Sequence, residues 1–150
     1  MSQDSQTVSV NDLDVTQLAD VRKQLEDELK HLTSSFAQLK QAQAKFEVCI
    51  ENVREVRSEN ADKTILVPLT NSLYIPGRLS DSNHVIVDVG TGYYIEKTRP
   101  QALKHYSDKV EYIRTNLETL EDTITKKRDN MAYLTNILQQ KIQAQAQSKS

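Results

Sequence analysis

The chain has 150 residues, 37% apolar and 27% charged, with no Trp, two Phe and a formal net charge of −2. So few large apolar side chains exclude a thick globular core and favour a thin seam. The mixed charge provides no nucleic-acid or anionic-membrane surface, no apolar run approaches the length of a transmembrane helix, and none follows Met1 as a signal peptide would. The single cysteine, Cys49, cannot close an internal disulfide, and these absences together point to the cytoplasm, with a nuclear fraction also allowed.

Residues 1–12 are polar and aperiodic and read as a disordered tail. Asp14 and Gln17 have the spacing of a capping box, which predicts a helix over 13–60. Its apolar residues recur every seven positions: Leu18, Leu25, Leu32, Leu39, Phe46 and Val53 on one seam line, with Leu29, Phe36 and Ile50 on the other. Gln43 interrupts the second line, while Val21, Ala42, Cys49 and Val56 widen the stripe.

Every glycine and proline falls between Pro68 and Pro100. The runs Ile65 to Leu69, Leu73 to Leu79, Val85 to Val89 and Tyr93 to Lys97 are rich in β-branched and aromatic residues and are separated by turn-formers. Residues 61–97 therefore read as an insert of about four strands in hairpins. Glycines at both ends of Gly90-Thr91-Gly92 allow the positive φ of a short connection, and Pro68 and Pro76 place their strands at edges, ends or bulges. A piece this small cannot make its own core, so its apolar residues require another surface, expected on other chains.

Thr98 and Gln101 form a second capping box, with Pro100 in the first turn, and predict a helix over 98–145. Leu103, Val110, Leu117, Ile124, Met131 and Leu138 keep strict sevens, with Tyr106, Ile113, Leu120 and Leu134 on the other line. Lys127 and Lys141 break that line, and a charge at Lys127 is expected to loosen the packing there. Residues 146–150 read as a second disordered tail. The expected fold is mainly α: two helices of roughly 70 Å at about 1.5 Å per residue, folded back as an antiparallel coiled coil and joined by the β-hairpin insert. Both chain termini then build the end farthest from the strands.

No residue pattern supports catalysis. His31, His84 and His105 look isolated, without a metal-ligand partner, Cys49 sits on the apolar stripe as a small core residue, and no phosphate-binding loop is present. The reading is a non-enzyme with no catalytic, cofactor or metal residues. Near the helix ends, Leu13, Val15, Leu18, Leu134, Ile137, Leu138 and Ile142 exceed what one two-helix seam covers, so a partly exposed apolar patch that holds other apolar chains is expected there.

The stretches Val67-Pro68-Leu69-Thr70-Asn71-Ser72-Leu73-Tyr74-Ile75-Pro76-Gly77-Arg78-Leu79 and Val85-Ile86-Val87-Asp88-Val89-Gly90-Thr91-Gly92-Tyr93-Tyr94-Ile95-Glu96-Lys97 resemble the linker of α-class prefoldin subunits, nearest to the subunit 5 branch of eukaryotes. The resemblance implies one of two α-type chains in a hexamer with four β-type chains, the inserts forming an inter-subunit β platform. It further implies ATP-independent capture of unfolded proteins, of the actin and tubulin type, at the coiled-coil tips, and delivery to the cytosolic chaperonin. The platform residues expected are Leu66, Val67, Leu73, Tyr74, Ile75, Val85, Val87, Val89, Tyr93 and Ile95, with Gly90 and Gly92 shaping the turn. The alternative from another class is a structural coiled-coil scaffold or tether that binds no clients.

Overall fold

A computed structural model describes residues 9–148, and residues 1–8 and 149–150 of the two expected tails lie outside the described residues. Two long helices and four strands follow a short 3-10 turn, Val10–Asp12: α1 (Val15–Glu55), β1 (Thr64–Pro68), β2 (Tyr74–Arg78), β3 (His84–Gly90), β4 (Tyr93–Thr98) and α2 (Arg99–Ser148). A second 3-10 turn, Ser58–Asn60, leads out of α1, which ends sooner than the sequence predicts, whereas α2 runs three residues beyond the predicted 145.

Both helix starts carry reciprocal capping boxes. Asp14 N–H donates to Gln17 Oε1 at 3.0 Å while Gln17 N–H donates to Asp14 Oδ1 at 2.7 Å. At α2 the Thr98 N–H donates to Gln101 Oε1 at 3.0 Å and the Gln101 N–H to Thr98 Oγ1 at 3.4 Å. Two donors that the helix itself would leave unpaired are satisfied at each end. Because Thr98 is also the last residue of β4, the chain passes from strand to helix without a loop.

The chain divides into two compact units, Met1–Gln38 with Asn116–Ser150, and Leu39–Thr115. In the first, Leu18 packs on Leu134, Ile137 and Leu138, and the Lys127 ammonium meets the Glu28 carboxylate at 2.6 Å. Contacts that fall along α2 as they rise along α1 make the two segments antiparallel. Lys127 is thus no gap in the seam: its half-buried stem lies along the packing and its charge is paired across the helices. The pair holds the Glu28 carboxyl below the usual carboxylate range, first through the hydrogen bond and then through the charge of Lys127.

In the second unit Phe46 and Tyr106 stand with ring centroids 6.1 Å apart, and Val53 packs with Ala102 and Val87. These helix segments are antiparallel as well. Arg99 ties the unit together: its Nε donates to Val53 O at 3.3 Å, an η-nitrogen donates to Arg54 O at 3.2 Å, and its backbone N–H donates to Asn83 O at 3.0 Å. A cation at the start of α2 opposes that helix's own dipole. Here it serves the carbonyl end of α1, where positive charge is favourable.

Candidate functional site

The strands form two separate two-stranded sheets, β1 with β2 and β3 with β4, both antiparallel. A two-stranded sheet has two open edges and no second layer of its own, so each hairpin needs a neighbour to bury its apolar side chains. In β1–β2 that need is plain, since Ile65, Leu66, Leu69, Leu73, Tyr74 and Ile75 are all exposed. Leu69 N–H donates to Leu73 O at 2.8 Å, and Thr70 Oγ1 accepts from Leu73 N–H at 3.1 Å, which shapes the turn. At Gly77 the strands approach closely, since a Cβ there would stand 3.0 Å from Val67 Cγ2 and that side chain would have to give way.

The β3–β4 hairpin has two faces of different kinds. Val87 pairs with Ile95, and Val85 with Lys97, on one face; Ile86 pairs with Glu96, and Asp88 with Tyr94, on the other. Val87 is 1% exposed against Val53 and Ala102, with Val85, Leu103 and Tyr106 packed around it. Val85 and Val87 are two of the platform residues expected from the sequence. Val87 is instead part of its own chain's core and Val85 is half-buried against it, where they seat the hairpin on the helices. Ile86 at 74% and Tyr94 at 67% exposed were missed, although strict alternation along β3 and β4 puts them on the outer face. Val89, Tyr93 and Ile95 are exposed, Ile95 although it shares the face of Val87, and Val67 is half-buried.

The turn of this hairpin is also more specific than two interchangeable glycines. Only Gly92 has positive φ, at +78°. Gly90 belongs to β3 beside a bulge, where its N–H donates to Asp88 Oδ1 at 3.0 Å.

At the other ends of the helices, the seven residues expected to form a partly exposed patch divide into three groups. Leu18, Leu134, Ile137 and Leu138 are buried together, Leu13 and Val15 are half-buried against them, and Ile142 is 48% exposed. The excess over one seam is covered from within the chain. The 3-10 turn that occupies part of the expected tail brings Val10 onto the same cluster. Leu13 and Leu18 flank the capping box in the positions of a hydrophobic staple, which fixes how the chain enters α1. Beside the cluster lies an open groove of about 510 Å³ lined by Val10, Val21, Leu25, Glu28, Tyr133 and Leu134, among others. Val21, expected to widen the buried stripe, is exposed along it, as is Tyr133.

Of the three histidines, His84 has neighbours that its place in the sequence conceals. Asp81 stands three residues before His84, its Oδ2 2.9 Å from His84 Nδ1, and strand pairing brings Glu96 near enough that one ligand atom from each of the three lies within 4.8 Å of the others. All three are exposed, and Asp81 also accepts the Asn83 N–H at 2.8 Å, so the group is accounted for as a hydrogen-bonded turn. The Asn83 N–H, and then His84, hold the Asp81 carboxyl below its usual range. Cys49 is half-buried beside Tyr106, whose hydroxyl is pushed up chiefly by burial.

The model of the family described as "Prefoldin subunit" matches residues 25–144. A relative in Schizosaccharomyces pombe, "Probable prefoldin subunit 5", is 43% identical over 146 residues, covering 96% of this chain and 95% of its own. "Prefoldin subunit 5" of Homo sapiens is 34% identical over 139 residues, covering 93% and 90%. Among solved structures, a chain of the filamentous PFD from Methanocaldococcus jannaschii superimposes with a TM-score of 0.67 at 19% identity, over 79% of this chain and 98% of that one, a likeness of fold. With two long helices, two small hairpins and a family match across most of its length, the chain belongs to the prefoldin family, whose subunits are not enzymes.

Proposed function

We propose that the chain is the α-type subunit of a prefoldin hexamer with one other α-type and four β-type subunits, working in the cytoplasm as an ATP-independent holder of unfolded proteins. The observation that carries this reading is the outward apolar face of the hairpins, with Leu66, Ile86, Tyr93 and Tyr94 among its most exposed side chains. Such a face costs solubility unless other subunits cover it, and open strand edges offer them backbone hydrogen bonds. In this reading Leu66, Leu73, Tyr74, Ile75, Val89, Tyr93 and Ile95 meet neighbouring subunits, joined by Ile86 and Tyr94.

Clients of the actin and tubulin type are held at the far ends of the helices and passed to the cytosolic chaperonin. Among the described residues, large apolar side chains exposed toward that end are Ile142, Val21 and Tyr133. Each is small, so holding depends on several subunits binding one client at once, which raises the effective concentration of every further contact. The test is a Val21→Ser, Tyr133→Ser, Ile142→Ser triple variant in the assembled complex. Aggregation of a denatured actin-type client should be suppressed less well while the native mass is unchanged. Equal suppression by the variant would show that these three side chains are not the client surface.

A further inference from the structure

The helix-end apolar cluster is closed by a strap, and one side chain fastens it. Lys141 Nζ donates to Asn11 O at 2.7 Å and also to Leu13 O, reaching from α2 to the segment before α1. The same segment is stitched internally by Asp12 N–H donating to Ser9 O at 2.9 Å and Leu13 N–H to Val10 O at 3.4 Å. Its apolar side chains, Val10 and Leu13, lie on Leu18, Leu134, Ile137 and Leu138. On its far side the Asp14–Gln17 capping box fixes the chain at the start of α1.

These contacts have an uneven distribution of strength. The cluster beneath is fully buried at Leu18, whereas the strap is a single turn whose outward residues, Ser9, Asn11, Asp12 and Asp14, are exposed. A lone 3-10 turn has little stability of its own, so its position depends on the apolar contacts below it and on what holds its carbonyls. Lys141 supplies charge-assisted bonds to two of those carbonyls. Its place on the seam line, where an apolar residue is the rule, is explained by that task.

We propose that Ser9–Asp14 is a self-covering strap, latched by Lys141, that closes the apolar cluster at the helix ends and opens to offer Leu18, Leu134, Ile137 and Leu138 to an apolar client segment. The idle subunit then keeps its stickiest residues covered, and an extended apolar peptide competes with Val10 and Leu13 for the same surface. Removing the charge of Lys141, as acetylation does, weakens the latch. The part concerning clients rests on the helix ends being the client surface; the strap itself does not.

The test uses the full-length chain assembled with its partner subunits. Lys141→Met keeps the apolar stem and removes the donors, Lys141→Arg keeps the donors, and Val10→Asp with Leu13→Asp abolishes the cover without shortening the chain. Amide exchange at Asp12 and Leu13 should quicken at least tenfold in Lys141→Met and stay near the parent's in Lys141→Arg. Binding of an apolar dye, 1-anilinonaphthalene-8-sulfonate, should rise about twofold in Lys141→Met and further in the double Asp variant. Unchanged exchange in Lys141→Met overturns the latch, and unchanged dye binding in the double variant overturns the cover. If both rise and suppression of client aggregation rises with them, the whole proposal stands. If both rise and suppression does not, the strap stands and the helix ends are not where clients are held.

Discussion

Ile86 and Val87 are neighbours in β3 and should respond oppositely to substitution. Val87 is 1% exposed, so Val87→Ala removes two buried methyl groups, about 1.6 kcal/mol at ~0.8 kcal/mol each, and leaves a small cavity that brings the loss to about 2 kcal/mol. For a chain of this size that lowers the melting temperature by roughly 4–8 °C. Ile86 is 74% exposed, and Ile86→Ser should change the stability of the isolated chain by no more than about 0.5 kcal/mol. If other subunits cover it, burying an isoleucine there contributes about 1.5–3 kcal/mol, so its loss weakens assembly roughly ten- to a hundredfold. Thermal denaturation by circular dichroism reads the first quantity, and titration of the labelled chain with partner subunits reads the second. An Ile86→Ser chain that melts as low as Val87→Ala, or one that assembles like the parent, would refute the division of this hairpin into an inner and an outer face.

Other consequences are equally direct. Gly92→Ala places a Cβ on a residue at φ +78° and should cost about 1–2 kcal/mol in denaturant melts, while Gly90→Ala, whose nearest new neighbour is 3.9 Å away, should be close to neutral. Arg99→Met leaves two carbonyls at the end of α1 without their charged donor and should lower stability by about 1–3 kcal/mol, with Arg99→Lys recovering only part. The Glu28–Lys127 pair sets a pH dependence. The folded carboxyl is held below its unfolded value, so its contribution is present above the unfolded pKa and is lost as pH falls through the folded one. The melting temperature of the parent should exceed that of Glu28→Gln by a constant margin above the usual carboxylate range, and the margin should shrink as pH falls below that range. A margin that persists in acid would assign the effect of Glu28 to packing instead.

The parts of the fold that were legible in the sequence are those written in short-range code. Both capping boxes depend on residues three apart, the seam lines repeat every seven, and all their apolar positions are buried or half-buried. The hairpins were marked by their turns, and the outer face of β3–β4 could have been read from alternation had Ile86 and Tyr94 been counted against Val85 and Val87. What was not legible depends on partners distant in the chain. Nothing near Lys141 in sequence indicates that its ammonium reaches Asn11 and Leu13, so it read as a flaw in the seam. The same is true of Lys127 and Glu28. The cover over the helix-end patch was not legible for a related reason: counting apolar residues on two helices shows an excess, but the cover comes from a turn inside a segment whose composition reads as a tail. Arg99 did carry a local clue, a cation at a helix start, that points to a second helix's carbonyl end.

The hairpins' outer face is proposed to be made for other subunits. Native mass spectrometry of this chain co-expressed with β-type prefoldin subunits and a second α-type subunit tests it most directly. The expected result is a hexamer containing one copy of this chain beside one other α-type and four β-type chains, and its loss in Ile86→Ser with Tyr94→Ser. A chain that stays a soluble monomer or homodimer under co-expression would contradict it, and the hairpins would then serve a scaffold that closes on itself.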